Sequence, residues 1–176
     1  MSTKEEIEMR IYDYLERQGF DPHRDDRRDA YVVLMETPSR IGALVITIRV
    51  CEQAIVATST CMVKADAGDI ESMHEVSEYL QRATYGMKVG GFELDFDDGQ
   101  AQFRASMPIG DDLPEEDEVG LLTLMGPSMW AKYGDGFLKV ALMGANAEET
   151  IEAIENADAI PTLERLLHRD DGGDQS

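Results

Sequence analysis

Apolar residues at Ile70, Met73, Val76, Leu80, Ala83 and Met87 recur every three or four positions, the spacing that lines up one face of an amphipathic helix. Asp69 stands where an N-cap belongs, and Gly86 or Gly90-Gly91 supplies the stop. The period then changes to two. Phe92, Leu94 and Phe96 alternate with Glu93, Asp95 and Asp97, and beyond Asp98-Gly99 the residues Ala101, Phe103, Ala105 and Met107 alternate with Gln102, Arg104 and Ser106. Asp-Gly between two alternating runs predicts a hairpin with a two-residue type I′ turn. That turn pairs Phe96 with Ala101, Leu94 with Phe103 and Phe92 with Ala105, and sets Glu93 against Arg104 on the polar side.

The same reading extends along the chain. Thr3-x-x-Glu6 is a capping box ahead of a helix carrying Ile7, Ile11, Tyr14 and Leu15. Asp21 to Asp29 reads as a charged connector or the ragged start of a strand, and Tyr31 to Thr37 as a strand ended by Pro38. Leu44, Ile46, Ile48 and Val50 share one face of the next strand. With a turn at Glu52-Gln53 they oppose Cys61, Ser59, Ala57 and Ile55, so large residues meet small ones beneath a helix layer. After the turn residues Pro108 to Pro114, an apolar stripe runs from Leu121 through Leu122, Met125, Met129, Trp130, Tyr133, Phe137 and Val140 to Leu142. Gly126-Pro127 predicts a kink or a division into two helices there. Short helices over Ala147–Glu155 and Pro161–Leu167 and a disordered acidic tail over 170–176 complete the expectation. Hairpins connect most strands, so the fold expected is α+β, an antiparallel sheet of about five strands with helices packed on one face, in a single domain over residues 3–168.

The residues Val76-x-x-x-Leu80 leading into Gly90-Gly91-Phe92-x-Leu94-Asp95-x-Asp97-Asp98-Gly99, then Phe103-Arg104 and the long helix from Asp117 to Leu142, resemble the YbjN family of putative bacterial sensory transduction regulators. The likeness covers about residues 3–155. Where that family often carries Trp-Asn after the central helix, this chain reads Thr84-Tyr85-Gly86-Met87. The resemblance implies a fold like that of class I type III secretion chaperones, in the order α-β-β-β-α-β-β-α. It further implies a non-enzymatic, chaperone-like or regulatory protein-binding module, commonly a homodimer.

Composition sharpens this picture. A net charge of −20 over 176 residues repels nucleic-acid phosphates and anionic membrane surfaces, so another protein or peptide is the partner expected. The acidity suits solubility, a basic or amphipathic partner, or high salt. Arg24, Arg27 and Arg28 form the one basic cluster, interleaved with Asp21, Asp25, Asp26 and Asp29. The sequence shows no secretory leader and no apolar run long enough to span a membrane. Cys51 and Cys61 fall on opposite faces of their hairpin and read as reduced thiols, which points to the cytoplasm.

No catalytic, cofactor or metal motif stands out. Asp95-x-Asp97-Asp98-Gly99 invites comparison with a calcium loop, but glycine arrives at position 5 and Ser106 occupies position 12; the turn accounts for the same residues. The carboxylates from Asp111 to Glu118 read as a solvated loop and helix start. His23, His74 and His168 are isolated, and no Cys-x-x-Cys, Gly-x-Ser-x-Gly or lysine-ended glycine loop exists. The expected partner-binding residues are Arg49 and Arg104 on the sheet's polar face, with Met125, Met129, Trp130, Tyr133 and Phe137 of the late stripe. Core filling is the competing explanation for that stripe. Two other functions remain open: a metal-assisted hydrolase built on Asp95 and Asp97, and a structural subunit of a larger assembly.

Overall fold

The computed structural model describes residues 3–110 and 113–157. Among them the elements are α1 (Thr3–Arg17), β1 (His23–Asp25), β2 (Ala30–Glu36), β3 (Ala43–Val50), β4 (Ala54–Lys64), α2 (Ile70–Thr84), β5 (Gly91–Leu94), β6 (Gln100–Pro108), α3 (Glu116–Met143) and α4 (Ala147–Asn156). The strands form one antiparallel sheet in the order β1-β2-β3-β4-β6-β5. This is the α+β class expected, with six strands rather than about five. The expected helix over Pro161–Leu167 and the tail over 170–176 lie outside the described residues.

The additional strand is β1, whose three residues His23-Arg24-Asp25 carry no apolar alternation to announce it. It exists because a tight turn returns the chain. Asp25 accepts the N–H groups of Arg27 and Arg28 at 3.0 and 3.2 Å, and Asp29 closes the loop with φ 50°, a left-handed conformation that aspartate adopts more readily than most residues. Arg24 then pairs with Asp29 across the turn.

The β3–β4 hairpin has the expected register. Val50 opposes Ile55, Ile48 opposes Ala57, Ile46 opposes Ser59 and Leu44 opposes Cys61, and all eight side chains are buried. The β5–β6 hairpin differs. Phe92 pairs with Phe103 and Leu94 with Ala101, two residues away from the expected partners. A shift of two preserves the face of every side chain, so Phe92 and Phe103 still point inward, where their rings meet edge to face at 5.2 Å. The cause is a wider loop. Asp95 Oδ1 accepts the Asp97 N–H at 2.9 Å, Asp98 Oδ1 accepts that of Gln100 at 3.0 Å, and the Gly99 N–H reaches Asp95 O at 2.8 Å. Aspartate side chains that hydrogen-bond the backbone two residues on stabilise such loops. Gly99, at φ 73°, carries its bare Cα against the Ala65 carbonyl, where a side chain has no room. Phe96, expected opposite Ala101, lies exposed in this loop.

The helices cover one face. In α2, Met73, Val76, Tyr79, Leu80 and Ala83 are buried, and Asp69 caps the helix by accepting the Glu71 and Ser72 N–H groups. Ile70, counted on the stripe from its spacing, is exposed. The helix α1 already includes Thr3, so Thr3 is not its N-cap.

The main correction concerns α3. It runs unbroken for 28 residues with Pro127 inside it, although proline removes one helical hydrogen bond. Packing on the sheet holds it together. Gly126 rides directly over Ser59 of β4, so close that a Cβ would overlap the serine hydroxyl. One turn later Trp130 donates its indole N–H to the Ser59 carbonyl at 2.8 Å. Gly126-Pro127 is thus a contact point and not a break. Gly136 plays a similar part on another side, leaving space for the hydroxyl of Tyr79, which donates to Tyr133 O at 2.6 Å. Burial pushes that phenol well above its ordinary value, so it remains a neutral donor. At the start of α3, Glu118 accepts the Glu115 N–H at 2.8 Å, which uses the acidic run as a cap. Finally, Asn146 caps α4, and Glu75 of α2 accepts the Ala147 N–H at 2.9 Å.

Candidate functional site

Among the described residues the helices lie on one side, and none of them covers the opposite face of the sheet. The register defines its rows. Leu34 lies beside Val45, Thr60, Gln102 and Glu93 in turn, and Val32 beside Thr47, Thr58 and Arg104. A third, shorter row holds Arg49, Val56 and Ser106. The central valines and threonines are half-buried by their neighbours, while Leu34 and Met62 stand 70% and 64% exposed. β-Branched side chains form a flat surface of modest polarity. Glu93 and Glu36 are the acidic side chains these four central strands and β5 present there, a low density for a chain of net charge −20.

The two arginines expected on this face are on it, but in different states. Arg104 pairs with Glu93, Nε to Oε1 at 2.9 Å, and Gln102 donates to the other oxygen of the same carboxylate at 2.7 Å. The Glu93–Arg104 contact thus survives the shifted register as a diagonal pair. Arg49 is exposed and has no carboxylate within ion-pair distance among the described residues.

The late-helix residues belong elsewhere. Trp130 and Phe137 are fully buried, and Tyr133 nearly so. Phe92 meets Trp130 at 4.9 Å and Tyr133 at 6.0 Å, and Trp130 meets Phe137 at 5.3 Å, all edge to face, a geometry that adds to the packing energy of the rings. These three are core side chains, and the structure offers them no access to a partner. Met125 and Met129 are half-buried against the same core. The explanation is the stripe's helical spacing, which turns it toward the sheet.

Of the acidic candidates in the β5–β6 loop, Asp95 and Asp98 are taken up by local structure. Asp95 and Asp98 hold the β5–β6 loop, and Lys64 also pairs with Asp98. The lysine contact, with help from the Gln100 N–H, holds the Asp98 carboxyl below the usual carboxylate range. Among the described residues no group of three or more His, Cys, Asp or Glu side chains is arranged to hold a metal ion. His74 is exposed on α2. Both cysteines are free: Cys61 is buried, which raises its thiol pKa, and Cys51 is half-buried. No helix among the described residues is long and apolar enough to cross a membrane.

Sequence reasoning missed two features of the polar architecture. Asp135 of α3 accepts hydrogen bonds from Ser39 Oγ and from the Arg40 N–H, each at 2.7 Å, and ties the β2–β3 loop to the helix. Burial pushes this carboxyl up, yet the two hydrogen bonds outweigh it and the net shift is downward. The signal was Gly134-Asp135-Gly136, an acid between two glycines within a helical pattern. The second is the pairing within the arginine cluster, which sequence alone shows as cancelling. Compared with protein-family models, curated proteins and solved structures, the chain has no match.

Proposed function

We propose that this chain is a non-enzymatic protein-binding module, chaperone-like or regulatory, of the YbjN type with a type III secretion chaperone-like fold. It acts as a cytoplasmic homodimer, and the open face of its sheet receives a partner protein. The observation that carries this reading is the one-sided architecture of the described residues, with their packed helices on one face and exposed Leu34 and Met62 beside flat valine and threonine rows on the other. Isolated exposed apolar residues are ordinary on protein surfaces; two of them flanking a β-branched surface with few acids make a docking face.

The test is retention of a partner by the tagged full chain from its own cells, with light scattering on the eluate. One stoichiometric protein partner, on a dimer of about twice the 19.6 kDa chain mass, is expected. A Leu34→Glu/Met62→Glu variant with an unchanged circular dichroism spectrum should release it. Retention of the partner by that variant, or a chain that elutes alone, would overturn the assignment.

A further inference from the structure

At one end of the sheet, the β1–β2 and β3–β4 turns and the first described turn of α1 surround a cleft of about 550 Å³, within the size range of small-ligand sites. In a strongly acidic chain its wall is unexpectedly basic. Lys4, Arg27, Arg28 and Arg49 line it against two carboxylates, Asp29 and Glu52. Part of this charge is already committed. Asp29 takes both Lys4 and Arg24, and these contacts, the Lys4 hydrogen bond foremost, hold its carboxyl below the usual range. Arg28 pairs with Asp25 at 2.9 Å. Arg27 and Arg49 are left, neither with a carboxylate in ion-pair range among the described residues.

Both guanidiniums project from anchored backbone. Arg27 sits in the turn whose N–H groups Asp25 accepts, and Arg49 pairs with Val56 within the β3–β4 ladder. Guanidinium groups present paired donors that match carboxylate or phosphate oxygens, and anchoring lowers the entropy lost on binding. The half-buried Ile109 gives the cleft an apolar wall, and Ile7 and Val50 are buried beneath its floor. We propose that this cleft binds an organic anion, with its carboxylate or phosphate head between Arg27 and Arg49 and its apolar body against the exposed part of Ile109. A free amphiphilic anion and the acidic, apolar end of a peptide share this chemistry. The site does not depend on partner binding by the open sheet face, and Arg27 lies outside that face, so a variant at Arg27 tests the cleft alone.

Cys51 lines the same cleft, whereas Cys61 is buried, so alkylation of Cys51 by iodoacetamide reports occupancy in the full-length protein. The probes are inorganic phosphate, octyl phosphate below its micellar concentration, octylammonium and the peptide Leu-Leu-Asp-Glu. Octyl phosphate should protect Cys51 saturably, binding about tenfold or more tighter than inorganic phosphate because of its apolar chain. Octylammonium should give no protection. Arg27→Ala and Arg49→Ala should each weaken octyl phosphate by about tenfold, the scale of a charged hydrogen bond, with the circular dichroism spectrum unchanged. Tighter binding of the peptide than of octyl phosphate assigns the site to a peptide end, and weaker binding assigns it to a free anion; both support the cleft. Absence of protection by octyl phosphate, protection by octylammonium, or equal protection in the Arg27→Ala variant would overturn the proposal.

Discussion

The two faces of this sheet are made from the same four central strands, yet they are built on opposite terms. The covered face alternates large and small residues, with Ile46 across from Ser59 and Ile48 across from Ala57, and α3 comes down so closely that glycine is required at Gly126. The open face has no such interdigitation: its valines and threonines stand side by side, and its charges are paired across strands or left in water. One face is therefore intolerant of change and carries stability. The other tolerates change and is free to carry recognition.

Substitutions on each face turn that contrast into numbers. Trp130→Ala removes the centre of the aromatic cluster and the hydrogen bond to Ser59, and should cost about 3–5 kcal/mol in urea unfolding. Gly126→Ala places a methyl on the Ser59 hydroxyl and should cost about 1–3 kcal/mol, read in the same experiment. On the open face, Arg104→Ala breaks an exposed pair with Glu93 and should cost about 1 kcal/mol at most. Leu34→Ser should move stability by about 0.5 kcal/mol or less. A loss of several kcal/mol at Leu34 that diminishes as protein concentration rises would mean that a second copy covers this face, and the contrast would fail.

Acid offers a subtler probe. The Asp135 carboxyl has its folded-state pKa held below the ordinary carboxylate range. Its stabilising contribution is therefore complete above the unfolded value, about 3.9, and is lost as pH falls through the lower folded value. Asp135→Asn removes this dependence. The difference in Tm between wild type and variant should be largest above about pH 4 and should shrink toward pH 2, measured by circular dichroism at a series of pH values.

Where the sequence was legible, side-chain alternation and turn chemistry agreed. The β3–β4 hairpin has a short connection and an unbroken alternation, so its register followed from the pattern alone. In the β5–β6 hairpin, Asp98-Gly99 carries the signature of a two-residue turn, but Asp95 and Asp98 favour the backbone of a wider loop, and that local bonding wins. Face was legible there even though register was not, because a shift of two leaves the inward set unchanged. Asp21 to Asp29 read as either a connector or the ragged start of a strand, and β1 could not be told apart there because its three polar residues are ordered by the turn after them. The division into two helices at Gly126-Pro127 does not occur because proline's tolerance depends on what α3 lies against, and periodicity within one segment carries no information about a contact with Ser59, far away in sequence. The same dependence decided the candidate site. Arg49 and Arg104 could be placed on a face by parity, whereas the availability of Trp130, Tyr133 and Phe137 depended on which side of α3 meets the sheet.

The outermost strands have a further consequence. On one flank stands β1, three residues long and wholly polar; on the other stands β5, four residues long, beginning at Gly91 and ending at an aspartate-rich loop. A long bare flank would let another chain's strand join the ladder, and brevity and charge discourage that union. Growth in the plane of the sheet is thus discouraged along the stretches that β1 and β5 cover. A partner that approaches broadside meets the open face instead, and an association made that way is finished once the face is covered. The fold favours counted complexes over fibres.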